Sequence, residues 1–154
     1  LKLKNSGGNK MVDKTKKSEA IYTALEENIS VFLMGALIYT VLEIAFRGYS
    51  HWTMSLTGGI CCLSMYLVYI KLPWLRVWQK CIIGTLIITF WEFNVGCIVN
   101  LFFGWNIWDY SQHPFNIMGQ VCLLFSLIWV FLALPVSYFA ELLHKGYFKN
   151  NCCK

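Results

Sequence analysis

The sequence predicts an all-α fold: a polytopic membrane bundle of four transmembrane helices, built as two parallel repeated helix hairpins with N and C termini cytoplasmic. Three observations lead there. The chain is 57% hydrophobic and 14% charged, against about 25% charged in ordinary soluble domains. Its apolar residues gather into four runs, 28–46, 52–70, 81–103 and 117–140, each near the roughly 20 residues that carry a helix across the hydrocarbon layer. A pattern in the first half also recurs in the second.

Residues 1–17 are rich in Lys, Gly and Asn and predict a disordered basic tail, in which Met11 reads as a start residue. Residues 18–28, "SEAIYTALEEN", predict an interfacial helix capped by Ser18, with Ile21, Leu25 and Ile29 on one stripe. Residues 29–146 hold the four-helix transmembrane domain, since lipid satisfies no backbone hydrogen bond and each span must be helical. The first run exceeds the length of a signal core and lacks a small-x-small cleavage site, so it reads as an uncleaved anchor. In "KLPWLRVWQK" between the second and third runs, Pro73 breaks the helix, Trp74 and Trp78 suit the interface, and Arg76 and Lys80 suit lipid phosphates. Gly146 stops the last helix, leaving 147–154 as a cytoplasmic tail.

Of the 13 Lys and Arg, only Arg47 falls in a loop after the first or third span. The positive-inside rule then places both termini and the middle loop in the cytoplasm, and loops 47–51 and 104–116 outside. The expected location is a cell membrane. The net charge of +5 is mostly this topology signal, and no basic patch is interleaved with a nucleic-acid motif.

The repeat starts with "GALIYTVLE", Gly35–Glu43, which returns 49 residues later as "GTLIITFWE", Gly84–Glu92. "YSHWTMSLTGGICCL" (49–63) likewise matches "YSQHPFNIMGQVCLL" (110–124) at an offset of 61, implying an insertion of 12 residues in the second half. Two helix pairs from one ancestor would be parallel repeats, an arrangement found in transporters.

The repeated glutamates are the first candidates for function. An acidic group within a span costs about 2.5–3.5 kcal/mol on insertion scales, so it faces protein or water. Glu43 has Arg47 one turn on, the spacing of a helical ion pair. Glu92 has no basic neighbour within a turn, so its partner comes from another helix or it is protonated. Glu92, Gly96, Asn100 and Gly104 recur every four residues, drawing a small and polar stripe that packs a helix or lines a wet cavity. The loops add His51, Trp52, Trp108, Asp109 and Asn116, with Gln120 just inside the fourth run. Asp109 also suits an Asx turn. The candidate substrate-binding set is therefore Glu43, Arg47, His51, Trp52, Glu92, Asn100, Trp108, Asp109, Asn116 and Gln120.

No P-loop, GxSxG or HExxH is present, no catalytic residue is assigned, and the reading leans away from an enzyme. Five of the seven cysteines, Cys61, Cys62, Cys81, Cys97 and Cys122, lie in the runs as small apolar filler. Cys152 and Cys153 form an inert tail or a lipidation point. Neither a metal nor a cofactor is expected.

"LEIAFRGYSHWTMSLTGG", "WEFNVGCIVNLFFGWNIWDYS" and "PFNIMGQVC" carry a resemblance. With their Glu-x3-Arg-Gly-Tyr-x-His-Trp and Trp-Asp-Tyr-Ser motifs, residues 34–142 resemble the small bacterial membrane proteins of the putative ABC-transporter type IV family, also labelled CmpB-like. The resemblance implies a multi-pass membrane protein with a transport role, any ATPase being a separate chain. The expected function is a transporter or permease subunit for a small polar or cationic solute, with a polar pocket open to the outer face. Its partners are the lipid bilayer and either further copies of itself or a separate subunit. The alternatives are a membrane-embedded enzyme using Glu43, His51 and Asp109 as acid–base groups, and a non-catalytic sensor or assembly partner.

Overall fold

The computed structural model describes the backbone of residues 6–144 and the side chains of residues 14–144. It is all-helical apart from one small hairpin. Helix α1 spans Ser6–Arg47, α2 Trp52–Lys71, α3 Val77–Gly96 and α4 Leu123–Leu142. A π-helical turn, Cys97–Phe102, continues α3, and strands β1 (Asn116–Ile117) and β2 (Val121–Cys122) precede α4. All four helices are long and apolar enough to cross a membrane. The chain is a multi-pass membrane protein.

Three boundaries differ from the sequence reading. Helix α1 is continuous from Ser6, so residues 6–17 are helical where a tail was expected. For the same reason the 18–28 segment is part of α1, and Ser18 caps nothing. Ile21, Leu25 and Ile29 are exposed along that stretch. The last span begins at Leu123 rather than 117, because Asn116 pairs with Cys122 and Ile117 with Val121 in an antiparallel hairpin. Cys122 thus lies in a strand. As expected, α2 ends just before Pro73, at Lys71. The proposed helix stop at Gly146 and the Cys152–Cys153 pair lie outside the described residues.

The bundle carries apolar side chains on its outer surface, in the manner of a membrane protein. Leu33, Leu37 and Val41 on α1, Leu86 and Phe90 on α3, and Leu127, Phe131 and Leu134 on α4 are exposed. The core centres on α2, whose Cys61, Met65, Tyr66 and Tyr69 pack with Val31, Ile88, Ala133 and Ala140 from the other helices. Helices α1 and α2 cross closely at glycines: a Cβ on Gly58 would collide with the Tyr39 side chain and stand 3.1 Å from the Gly35 carbonyl oxygen. Small residues of this kind let backbones approach where lipid supplies no hydrophobic drive between helices.

Each end of the bundle has its own polar fastening. At the α2–α3 end, Lys80 is buried and pairs with Glu141, and its carbonyl accepts from Tyr69 Oη at 2.8 Å. Lys80 therefore joins α3 to α4 instead of meeting lipid phosphates. His144 Nδ1 lies 3.1 Å from Glu27 Oε1 and 3.2 Å from Tyr66 Oη, tying α4's end to α1 and α2. The opposite end is covered by residues 103–122, and the candidate site lies under this cover.

Candidate functional site

Three successive turns of α1 present Tyr39, Glu43 and Arg47 on one face, the four-residue spacing that stacks side chains on a helix. Opposite them stand Phe125, Trp129 and Leu132 of α4, and Trp108, Asp109, Tyr110 and His113 form the cover. Together they enclose a chamber of about 340 Å³, at the small end of the range for small-molecule sites.

Glu92 lies immediately behind this wall. It is buried on α3 and accepts from Tyr39 Oη at 2.8 Å and from Trp129 Nε1 at 2.8 Å. Both donors are neutral and come from other helices, α1 and α4. The chamber therefore has a carboxylate one hydrogen bond behind two of its lining side chains. Tyr39 and Trp129 also stack, with ring centroids 5.9 Å apart. Neither was among the sequence candidates. Tyr39 could have been found as the residue one turn before Glu43, and Trp129 as an indole N–H in need of a buried acceptor.

Glu43 is differently placed. Its Oε1 accepts from Arg47 Nη1 at 2.8 Å and its Oε2 from Ser50 Oγ at 2.6 Å. Arg47 Nη2 in turn donates to the Ile107 carbonyl at 2.6 Å. The pair brackets the end of α1 to both neighbouring loops. The two repeated glutamates thus have different environments, one paired with a cation and one held by neutral donors.

Asn100, Trp108 and Gln120 form the clasp of the cover. Asn100 Nδ2 donates to the Trp108 carbonyl at 3.0 Å and to Gln120 Oε1 at 2.8 Å, and its Oδ1 accepts from Ile107 N at 2.7 Å. Trp108 Nε1 donates to the Gln120 carbonyl at 2.8 Å. The π turn carrying Asn100 opens helical spacing where this clasp forms, and π turns often occur at functional sites. The expected stripe is buried through Glu92, Gly96 and Asn100, but it stops there. Gly104 lies past the helix at φ +68°. A Cβ on Gly96 would stand 2.7 Å from Gln120 Oε1, so that glycine makes room for the clasp.

The other loop candidates are spread out. Asn116 Nδ2 donates to the His113 carbonyl at 2.8 Å, and its Oδ1 accepts from Gly119 N, which shapes the hairpin. Asp109 makes the expected Asx turn, accepting from Ser111 N at 2.8 Å and Ser111 Oγ at 2.9 Å. These bonds hold its carboxyl below the usual carboxylate range. Burial pushes the Tyr110 phenol up from its ordinary value. His51 caps α2, accepting from Thr53 N at 3.4 Å, and sits against Trp52 and Trp105. It lines a separate shallow recess with Tyr49 and Asn106. Trp52 is exposed. Of the ten candidates, the chamber wall holds Glu43, Arg47, Trp108 and Asp109, with Glu92 behind it. Glu43, His51 and Asp109 do not converge on one point as an acid–base set would. Among the described residues no group of His, Cys, Asp and Glu is placed to hold a metal ion.

A family model described as putative ABC-transporter type IV matches residues 54–151, well over half of the chain. The matched range carries Glu92, the clasp, the cover and Trp129, whereas Tyr39, Glu43 and Arg47 precede it. No solved structure matches the chain. On the extent of that match, the chain belongs to the putative ABC-transporter type IV family.

Proposed function

We propose that this membrane transport-related protein is a transporter or permease subunit that binds a small polar or cationic solute in the chamber between α1, α4 and the cover. One observation carries the reading: a carboxylate, Glu92, is buried in a spanning helix directly behind the chamber wall and held, among the described residues, by the Tyr39 hydroxyl and the Trp129 indole. Burial of an acidic group at that depth is costly, and such groups mark solute or proton pathways. Asp109 and Glu43 add negative charge at the wall, against the single cation Arg47. Glu92 and its two donors form the site, the Glu43–Arg47 bracket sets the mouth, and Asn100, Trp108 and Gln120 position the cover.

The lysine and arginine bias supports a cytoplasmic placement of both termini, with the chamber opening outward, and the family resemblance supports a bacterial cytoplasmic membrane. Duplication of a helix pair is supported by the sequence repeat, in which Thr40 and Thr89 are equivalent. Each meets a serine of the following helix, Ser55 and Ser126, but these serines lie 71 residues apart and are not equivalent in the repeat. Four spans are few for a conduction path, which favours a homo-oligomer or a separate partner subunit.

The test is thermal stabilisation of purified protein by a panel of amines, amino acids and alkali cations. A ligand that binds only the folded state raises stability as its concentration passes Kd. At least one panel member is expected to stabilise the wild type and to lose that effect in Glu92→Gln of equal intrinsic stability. Equal stabilisation of both proteins, or of neither, contradicts the proposal.

A further inference from the structure

The chamber does not end at Trp129. A second cavity of about 350 Å³ continues from it between α1 and α4, sharing Tyr39, Leu42, Trp129 and Leu132 as common walls. Its sides are Ile38 on α1 and Val136 and Phe139 on α4, and α2 supplies the floor through Gly58, Cys61 and Met65. Helix α1 packs chiefly on α2 and α4 chiefly on α3, so no tight α1–α4 seam closes the fissure. The result is a groove that is almost wholly apolar over its length and polar at one end only.

From this arrangement we infer that the occupant of the site is a membrane lipid with a phosphoethanolamine-type head. One acyl chain lies in the α1–α4 groove and the head sits in the chamber. The inference rests on the proposed binding role of the chamber and replaces the small free solute with a lipid whose head carries the cationic group.

Length, chemistry and volume support it. Along α4 the groove runs from Trp129 to Phe139, about 15 Å at a helical rise of roughly 1.5 Å per residue. One leaflet of hydrocarbon is about 15 Å, half of the roughly 30 Å core. The groove therefore matches one chain reaching from the interface towards the midplane. At its polar end Arg47 is bonded to Glu43 and the Ile107 carbonyl, and the remaining N–H groups of its guanidinium suit a phosphate. Asp109 lies on the same wall with the aromatic faces of Trp108, Tyr110 and Phe125, and carboxylate and ring faces together suit an ammonium. A helix is about 10–12 Å across with its side chains, too wide to be enclosed by a fissure of this volume, whereas a single alkyl chain fits.

The test reconstitutes the protein in vesicles of phosphatidylethanolamine and phosphatidylglycerol at 3:1, extracts it gently, and counts retained lipid by native mass spectrometry. Wild type is expected to keep one phosphatidylethanolamine per chain. Val136→Trp and Ile38→Trp, which fill only the groove, are expected to lower that retention at least tenfold while keeping the wild-type melting temperature. Ile38 is already exposed, so its variant guards against misfolding at the other position. The inference is overturned if wild type keeps no lipid, if phosphatidylglycerol is retained in proportion to its abundance, or if both variants retain as much as wild type. Should a soluble solute stabilise Val136→Trp in a Glu92-dependent way while no phosphatidylethanolamine is retained, the solute site stands and the lipid groove falls. Absence of both signals removes both.

Discussion

Replacing Asn100 with Ala would unfasten the cover while leaving the four helices in place. The substitution orphans the Trp108 carbonyl, Gln120 Oε1 and the Ile107 N–H, which Asn100 now satisfies. A buried polar group left without its partner costs about 1–3 kcal/mol. Trp108 and Gln120 are buried but Ile107 is half-buried, so water can reach its N–H. Counting the first two fully and the third little gives about 2–6 kcal/mol, borne by local opening of residues 105–122. At about 1.4 kcal/mol per tenfold, amide exchange there should accelerate roughly 30- to 20,000-fold. The assay is hydrogen–deuterium exchange of protein in nanodiscs, with α2 peptides as the internal reference. Asn100→Asp keeps the acceptor for Ile107 but turns a carboxylate towards two carbonyl oxygens, and should open the cover to a similar extent. If 105–122 exchanges at the wild-type rate in Asn100→Ala, the clasp does not hold the cover and the reasoning fails.

Other perturbations separate the remaining roles. Tyr39→Phe removes one donor from buried Glu92 and should lower stability by about 1–3 kcal/mol, measured by unfolding in mixed micelles; an unchanged midpoint would show that the bond adds nothing. Glu141→Gln leaves the buried Lys80 ammonium without its carboxylate. A broken buried pair costs about 3–5 kcal/mol, but Glu141 is 42% exposed, so about 1–3 kcal/mol is expected here. Adding Lys80→Met should recover most of that loss, and a double variant less stable than the single one would contradict the account. Asp109 has its folded-state pKa depressed by the Ser111 bonds. Its contribution to the turn is therefore present above the ordinary carboxylate range and lost as pH falls through the lowered value. Exchange at the Ser111 amide, corrected for intrinsic rates, should rise over that acid window in wild type and show no such step in Asp109→Asn.

The four spans were legible because lipid permits so few backbone solutions, so long apolar runs leave little choice. The Asx turn of Asp109, the break at Pro73 and the need of Glu92 for a partner on another helix were also readable, each being a local or single-residue requirement. Features that depend on how helices rotate against one another were not. Nothing in the apolar run 117–140 singles out Trp129 until α4's rotation aims its indole at Glu92. Lys80 looked like an interfacial lysine because Glu141 is 61 residues away. The start of α4 was misplaced because "PFNIMGQVC" is apolar enough to read as helix. Phe115 and Met118 instead adopt φ of 55° and 53°, and the Asn116 side chain holds the turn. The sequence repeat made Glu43 and Glu92 look equivalent, but only Glu43 has an arginine one turn on, and that single residue gives the two carboxylates different partners.

The central claim, that the chamber backed by Glu92 is a ligand site, is tested most directly by native mass spectrometry of the gently extracted protein beside its Glu43→Gln/Glu92→Gln double variant. The account predicts a stoichiometric ligand mass on the wild type that is absent from the double variant at equal fold stability. Identical spectra, with only bulk lipid or only a partner chain on both, would contradict it and make the chamber a structural or assembly feature.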